Sequence, residues 1–400
     1  MKPQIDWIPA RPLSASPHTV DLLVRITPPT PPQDTPPPPL DLALVLDTSG
    51  SMRGQPLDLA KAAALEVHRH LRPADRLALV TFASSAQLVA PLQPAIRADG
   101  FGGRLAGLEA GGSTALAQGW GLAADVLRHP DASQPPLAPN RLKRTLLLTD
   151  GRANVGPRDP RLLGAGVGRA LSEGISTSTV GVGTHYDERL LEELAGAGDG
   201  NYHYAETPTA LEGLFLSELE SLGATVGRRV SLGVRGVEVL DVLNDLPRLP
   251  NGRLALPPLR AQKPLEVLLR VRAKAGDRLT LRLAWTDAAG ERQVERPDLV
   301  FGAGEPQAEH PEVVRLRGAL QVARVQRQMA ELTDRGNVAQ ALVRLGEARG
   351  RLEALATQGV DVAGDLAQLG TLQAWLTRGE RGAASKAARS FAYRKSTGRE

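Results

Sequence analysis

The chain has 400 residues and a formal net charge of +4, with 42% hydrophobic and 23% charged residues. These proportions are ordinary for globular protein, and the length suggests two or three domains. Aromatic residues account for only 3%, so the cores must consist mainly of aliphatic side chains. Cysteine is absent, which excludes disulfide bonds, thiolate metal sites and cysteine nucleophiles.

The N-terminal segment, residues 1–30, contains one predicted strand. In HTVDLLVRI, residues 18–26, apolar residues occupy every second position from Val20 to Ile26, the period of a half-buried strand. A proline-rich run follows, and we interpret residues 31–39 as a stiff, extended linker. Because an isolated strand is not stable in water, this strand is expected to join a sheet formed later in the chain.

Three short segments carry oxygen-bearing side chains at the ends of predicted buried strands or on a glycine-rich loop. The segments are LALVLDTSGSM at 42–52, GGSTAL at 111–116 and TLLLTDG at 145–151. Their candidate ligands are Asp47, Ser49, Ser51, Thr114 and Asp150. The carboxyl ends of strands in an open parallel sheet meet at one edge, where ligands bind. Oxygen ligands suit a hard divalent cation, so we expect Mg²⁺, with Mn²⁺ or Ca²⁺ as alternatives.

Helix capping is the main alternative role for the first segment. Aspartate and serine are good N-caps, and QPLDLAKAAALEVHRHL at 55–71 is a predicted helix directly after them. The presence of Thr114 and Asp150 in matching positions favours a metal site over capping alone.

The combination of DTSGS, a loop threonine and LLLTDG resembles the von Willebrand factor A (VWA) domain family, in its bacterial intracellular form. The metal-ion-dependent adhesion site (MIDAS) of that family has the pattern DxSxS, T, D, and every position is present here. The resemblance covers residues 40–216 and implies a doubly wound, mostly parallel, Rossmann-like α/β fold. It implies that Ser49, Ser51 and Thr114 offer hydroxyls to the metal, and that the two aspartates hold it directly or through water. An open coordination position for a partner's carboxylate is implied as well.

Beyond this domain the pattern of apolar residues changes twice. Short alternating runs over residues 219–304 predict an antiparallel β-sandwich, which residues 18–26 are expected to join, so that the VWA-like domain is inserted into the sandwich. Residues 308–377 have helix-spaced apolar residues with a break at 334–337, which predicts a helical hairpin and a third helix. A bundle docked on the sandwich is favoured over a coiled-coil dimer, because fewer than three sustained heptads are present.

The last 23 residues, from 378 to 400, hold seven Lys or Arg and two Glu, and the remainder of the chain is nearly neutral. A charged run of this kind is usually a flexible, solvated tail. Its aromatic and basic residues could instead stack bases and bind phosphates of DNA or RNA. The candidate nucleic-acid contacts are Arg389, Phe391, Tyr393, Arg394 and Lys395.

No catalytic motif is found: the sequence has neither a GxxxxGK[ST] phosphate loop nor a GxSxG nucleophile elbow. We therefore predict a non-enzymatic, metal-dependent binding or adaptor protein whose cation coordinates an exposed carboxylate of a protein partner. The alternatives are a nucleic-acid-binding protein and, from the resemblance, a cofactor of a bacterial AAA-type ATPase. Neither a signal peptide nor an apolar run of membrane-spanning length is recognised, which predicts a cytoplasmic protein without membrane contact.

Overall fold

The computed structural model describes residues 2–30, 37–95, 100–129, 141–304 and 308–398. It divides into two compact units: Pro36–Ala224, and Met1–Thr35 together with Thr225–Glu400. The first we call the inserted unit, and the second the discontinuous unit. Most of the predicted linker, residues 31–36, lies outside the described part of the chain.

The strands follow one another along the chain as short segments. They are β1 (Gln4–Pro9), β2 (His18–Thr27), β3 (Leu40–Asp47), β4 (Arg76–Phe82), β5 (Ala86–Pro94), β6 (Leu142–Thr149), β7 (Ile175–Val182), β8 (Tyr202–Ala205), β9 (Thr225–Arg235), β10 (Glu238–Val242), β11 (Leu254–Leu256), β12 (Leu259–Arg260), β13 (Leu265–Ala273), β14 (Arg278–Asp287), β15 (Arg292–Glu295) and β16 (Asp298–Val300).

The α-helices lie in both units. They are α1 (Gln55–His70), α2 (Phe101–Ala106), α3 (Leu116–Arg128), α4 (Pro160–Ser172), α5 (Glu188–Ala197), α6 (Leu211–Gly223), α7 (Pro311–Asp334), α8 (Val338–Thr357), α9 (Ala363–Thr377) and α10 (Arg381–Thr397). Among the described residues, none of these helices combines the length and the apolar character that a bilayer crossing requires.

The inserted unit is built on one six-stranded sheet with the order β5-β4-β3-β6-β7-β8. Neighbouring strands are parallel except for β4 and β5, which are antiparallel. The central strand β3 is buried along its whole length, which explains its continuous apolar sequence. Helices α1 and α6 pack together, and α3, α4 and α5 pack on the strands. The predicted doubly wound, mostly parallel α/β fold is confirmed.

The C-terminal border of this unit lies further along the chain than the sequence predicted. The prediction ended the domain at residue 216 and began the sandwich at 219, whereas α6 continues to Gly223 and β9 starts at Thr225. The helix extends because Leu211, Phe215 and Leu222 share one face and pack into the core of the inserted unit.

The discontinuous unit contains two mainly antiparallel sheets. One has the order β1-β2-β13-β10, and the other has the order β11-β9-β14-β15, with β12 on β9 and β16 on β14. Strand β2 pairs with β13 from His18 opposite Ala273 to Ile26 opposite Leu265. Residues of both sheets contribute to one hydrophobic cluster, which includes Leu22 of β2 and Leu281 of β14. Strand β2 therefore lies in the interior of this sheet. Its neighbour β13 begins more than 200 residues later in the chain.

The predicted C-terminal helical segment is confirmed by α7, α8 and α9. The break falls at Gly336, whose φ of 83° is readily adopted only by glycine. The first turns of α7 place Val313, Leu316 and Leu320 in the hydrophobic cluster of the two sheets. An ion pair of 2.6 Å joins Arg315 of this helix to Glu266 of β13.

The prediction of a flexible tail over residues 378–400 is wrong for its described part. Residues Arg381–Thr397 form helix α10, which packs against α7 and α9. Small side chains make close packing possible, because Ala384, Ala388 and Ala392 are fully buried. The composition did not indicate a packed helix, because basic residues dominate the charge of the segment, yet Lys386 and Arg389 are buried together with its alanines. Glycine 398 ends the helix in the left-handed conformation, with φ 70°.

Candidate metal site

The sheet order of the inserted unit places two predicted ligands side by side. The chain runs from β3 outward to β4 and β5 and then returns to add β6 on the other side of β3. This reversal is a topological switch point, where the carboxyl ends of neighbouring strands leave a crevice for a ligand. Asp47 is the last residue of β3, and Asp150 directly follows β6. Both aspartates therefore lie at the switch point.

The carboxylate of Asp47 is held by hydrogen bonds on both oxygens. Its Oδ1 accepts from the backbone N–H of Ser49 at 2.8 Å, and its Oδ2 accepts from the hydroxyl of Thr149. Parallel pairing of Leu46 with Leu148 brings Thr149 directly beside Asp47. The side chain of Asp47 is completely buried, so these bonds fix its orientation.

The serine hydroxyls form a chain that ends on the second aspartate. The Oγ atoms of Ser49 and Ser51 are 3.1 Å apart, and the hydroxyl of Ser51 donates to Oδ1 of Asp150 at 2.6 Å. The turn between them is a short 3₁₀ helix, Gly50–Met52, which curls the two serines toward one point. The first segment thus wraps around the crevice, as its sequence predicted.

The loop that carries Thr114 is anchored to both other segments. The backbone N–H of Thr114 donates to Oδ1 of Asn154 at 2.7 Å. The carbonyl oxygen of Thr114 accepts from the backbone N–H of Asn154 at 3.1 Å. The backbone N–H of Gly50 donates to the carbonyl of Gly112 at 3.1 Å. These bonds hold the buried side chain of Thr114 in the crevice.

Gly151 shows how closely the three hydroxyls converge. A Cβ atom added to this glycine would lie 3.1 Å from Oγ of Ser51, 3.6 Å from Oγ1 of Thr114 and 3.9 Å from Oγ of Ser49. Three hydroxyl oxygens therefore surround one small space that the bare Cα leaves open. Together with the adjacent carboxylate of Asp150, they are hard oxygen donors of the kind that Mg²⁺ or Ca²⁺ prefers. The residues present thus fit a hard divalent cation.

Comparisons with known proteins agree with the fold of the inserted unit. Residues 41–216 match the family model of the von Willebrand factor type A domain. Residues 41–216 have the VWA fold. A von Willebrand factor type A protein from Catenulispora acidiphila has a similar structure, with a TM-score of 0.72, 18% identity, and coverage of 92% of this chain and 89% of that one. The ArnB paralog VWA2 from Sulfolobus acidocaldarius has a TM-score of 0.64 at 16% identity, and 98% of each chain is covered.

One curated relative shows sequence similarity to about half of the chain. The uncharacterized protein YfbK of Escherichia coli strain K12 is 30% identical over 192 residues, which are 48% of this chain and 32% of that protein. The chain therefore spans about a third of the length of this relative. VWA domains generally mediate metal-dependent protein–protein interaction.

Burial controls the electrostatics of the two aspartates in the VWA domain. Burial raises the pKa of Asp47 to about 6, although hydrogen bonds from Thr149 and Ser49 oppose this rise. Burial also raises the pKa of Asp150, against the effect of its hydrogen bond from Ser51. Among the described residues, no Lys or Arg forms an ion pair with either carboxylate. A bound cation would supply the missing positive charge.

Sequence reasoning missed two residues that organise this site. Thr149 orients Asp47. The sequence could have indicated this role, because Thr149 directly precedes Asp150 at the end of a predicted strand. Asn154 positions Thr114, and no local sequence pattern indicates this role. The described residues contain no cluster of three or more His, Cys, Asp or Glu side chains suited to a metal. The candidate site therefore depends on hydroxyl groups as well as on its two carboxylates.

The candidate nucleic-acid contacts in α10 are engaged within the discontinuous unit. Arg389 and Tyr393 are only 6% and 4% exposed, and Arg389 forms a 2.8 Å ion pair with Asp334. Lys395 pairs with Asp365, and the guanidinium of Arg394 lies 5.6 Å from the ring centroid of Phe391. The prediction that these residues form an accessible nucleic-acid interface is therefore wrong for Arg389 and Tyr393, because they are buried against neighbouring helices.

Proposed function

We propose that this protein is a non-enzymatic binding protein whose VWA domain holds a divalent cation, preferably Mg²⁺. The protein uses this cation to bind an acidic group of a protein partner. The hydroxyls of Ser49, Ser51 and Thr114 and the carboxylates of Asp47 and Asp150 would hold the ion. When bound, the cation supplies a positive centre for a carboxylate at the surface of the partner.

The convergence of three hydroxyls beside Gly151 is the observation that carries this proposal. A helix-capping role for the segment at 42–52 does not explain why these hydroxyls converge. The first α-helix after the segment starts at Gln55, its N-cap is Gly54, and that cap makes no side-chain hydrogen bond. The hydroxyl of Ser51 is directed instead to Asp150. Ser51 is exposed to solvent. A partner could therefore reach the site from the side of this residue.

The partner side of the proposal is tested by affinity capture with the full chain. Cell extract is passed over the immobilised protein in buffer with Mg²⁺, and the same step is repeated with the cation chelated. Asp150→Ala serves as the test variant. Asp159→Asn is the matched control, because Asp159 is an exposed aspartate at the N-cap of α4 in the same domain.

A protein that is retained with Mg²⁺ by the wild type and by Asp159→Asn, but lost with chelator and with Asp150→Ala, supports the proposal. Substitution of single Asp or Glu residues on that partner by Asn or Gln should then identify the carboxylate. Retention that is unchanged by chelation and by Asp150→Ala would contradict a metal-dependent contact.

A further inference from the structure

A row of arginine side chains crosses one sheet of the discontinuous unit. In the β9/β14 pair, Arg282 lies opposite Gly233. Leu254 of β11 pairs with Leu232 of β9, and Arg253, which directly precedes β11, lies beside Gly233 on its other side. The pairing of Leu283 with Glu295 in β14 and β15 continues to Arg296, beside Arg282. Three arginines, one within β14 and two directly beside the ends of β11 and β15, are therefore aligned across the sheet.

This row lies on the outer face of the sheet. Alternate residues of a strand point to opposite faces, and Leu281 and Leu283 on either side of Arg282 are fully buried in the core. A Cβ added to Gly233 would lie 3.5 Å from Cγ of Arg253 and 3.7 Å from Cβ of Arg282. Gly233 therefore lies between the two arginine stems and adds no side chain of its own.

Gly233 and the two arginine stems line a surface cavity of about 400 Å³. Four arginines line it, and the polar groups of a loop and a strand complete its wall: Arg235, Arg253, Arg282, Arg296, Asn251 and Thr280. Arg235 belongs to the same face, because it pairs with Thr280 two positions along from Gly233. The cavity is thus strongly cationic and large enough for a small anion.

The positive charges of this cavity are not neutralised within the described part of the chain. No ion pair joins a described acidic residue to any of its four arginines. The nearby Asp298 is engaged elsewhere, since it accepts from Arg278 at 3.1 Å and from Thr280 at 2.6 Å. Like charges directly opposite each other destabilise a sheet. The four like charges therefore repel one another, and a bound anion would reduce this repulsion.

Arg282 carries a buried hydrogen-bond donor that an anion could use. Its Nη1 is buried and forms no hydrogen bond with any residue that the structure describes, although a buried donor normally finds a partner. Burial lowers the pKa of Arg282, and the neighbouring Arg253, Arg296 and Arg235 lower it further. An oxyanion between these guanidinium groups would accept the unused hydrogen bond and remove the repulsion.

We propose that the arginine row is a binding site for a phosphate-class anion, best satisfied by two linked phosphoryl groups. Arginine matches phosphate because its planar fork donates two parallel hydrogen bonds to two oxygens. Strands in a sheet are about 4.8 Å apart, so the four strands of the row span roughly 14 Å. That width exceeds one phosphoryl group, and a diphosphate reaches more of the row. The site is independent of the metal site in the VWA domain.

The test is calorimetric titration of the full chain with pyrophosphate at low salt. Arg282→Gln and Arg253→Gln should each weaken binding by about tenfold or more, because each removes charged hydrogen bonds to the anion. Arg278→Gln is the matched control, since Arg278 lies on β14, bears the same charge and is paired with Asp298. The control should change the affinity by less than about twofold.

Thermal unfolding without anion shows whether the variants fold. Arg282→Gln should unfold at the same temperature as the wild type or higher, because repulsion within the row is reduced. Pyrophosphate should then raise the unfolding temperature of the wild type and of Arg278→Gln, but not that of Arg282→Gln.

Equal pyrophosphate affinity in Arg282→Gln and the wild type would overturn the proposal. The proposal would also be overturned if Arg278→Gln lost as much affinity as Arg282→Gln, because that result would indicate unspecific attraction. Absence of pyrophosphate binding at millimolar concentration would also overturn it, whether or not duplex DNA binds. ADP and a phosphoserine peptide distinguish the source of the phosphoryl group. Tighter binding of ADP supports a soluble diphosphate, and tighter binding of the peptide supports a phosphorylated protein.

Discussion

The hydroxyl of Ser51 donates a 2.6 Å hydrogen bond to Oδ1 of Asp150, two residues separated by 99 positions in the chain. This bond connects the turn after β3 with the end of β6 across the crevice. Because Oγ of Ser51 is also 3.1 Å from Oγ of Ser49, one serine connects two other candidate ligands. The metal site is thus assembled by neighbouring strand ends and by a turn that only a parallel sheet brings together.

Asp47→Asn should reduce Mg²⁺ affinity by about tenfold or more, since a carboxylate in contact with a divalent cation provides much of the attraction. The metal-free variant should keep its stability or gain some, because it no longer buries a charged group. Calorimetric titration with Mg²⁺ and thermal unfolding measure the two effects. Asp159→Asn should bind Mg²⁺ like the wild type; unchanged affinity in Asp47→Asn would exclude Asp47 as a ligand.

Gly151→Ala should weaken Mg²⁺ binding, because the new methyl group would crowd the space between Ser51 and Thr114. A loss of about tenfold is expected, comparable with the removal of one polar contact to a charged group. Gly111→Ala is a suitable control, since that glycine lies on the Thr114 loop and a Cβ there would meet no atom within 4 Å. Equal affinities for the two alanine variants would show that the space beside Gly151 is not used.

Glu218→Gln should destabilise the VWA domain at neutral pH. Glu218 is buried, and although burial opposes its charge, Arg144 together with His203 and Ser178 holds its pKa well below the ordinary value of 4.5. Removal of one partner from a buried pair costs about 3–5 kcal/mol. Urea unfolding measures the difference, and Glu220→Gln, an exposed position on the same helix, should have little effect.

The pH dependence of this difference follows from the lowered pKa of Glu218. A carboxyl group that is more acidic in the folded state contributes stability above its unfolded pKa, and that contribution is lost as the pH falls through the folded value. The stability gap between wild type and Glu218→Gln should therefore be largest above the ordinary pKa of 4.5 and shrink at lower pH. A gap that stays constant from neutral pH down to strongly acidic conditions would contradict the charged state of Glu218.

Arg389→Ala should destabilise the discontinuous unit by about 0.5–3 kcal/mol, since it removes a buried side chain and its ion pair with Asp334. Arg381→Ala, at an exposed position near the start of α10, should have little effect on stability. Denaturant unfolding compares the two variants. If Arg389→Ala is as stable as the wild type but loses affinity for DNA, the side chain would be a surface contact after all.

Removal of residues 1–26 should damage the discontinuous unit and leave the VWA domain folded. The deletion takes away β1 and almost all of β2, and it leaves β13 with an unpaired edge. Mg²⁺ titration reports on the VWA domain, while amide hydrogen exchange in β13 reports on the sheet. Rapid exchange in β13 with intact Mg²⁺ binding is expected. Slow, wild-type exchange in β13 would show that the sheet does not need its N-terminal strand.

The sequence by itself determined which oxygen-bearing residues form the candidate metal site, and its resemblance to the VWA family predicted the fold around them. A buried β3 needs a continuous apolar run, and the polar residues that end it can lie only at the edge of the sheet. The positions of Asp47, Thr114 and Asp150 therefore followed from local pattern. The same local logic predicted the helices after residue 311, because their apolar residues repeat at the helical period.

Only the tertiary structure decided which side chains meet across separate elements. The hydrogen bond from Thr149 to Asp47 requires the register of β3 and β6, and the alignment of Arg253, Arg282 and Arg296 requires the register of four strands. Helix α10 is the strongest case, because its alanines became a buried face only when α7 and α9 offered surfaces to cover them. Periodicity and composition describe one segment at a time, whereas burial and pairing depend on residues that are distant in the chain.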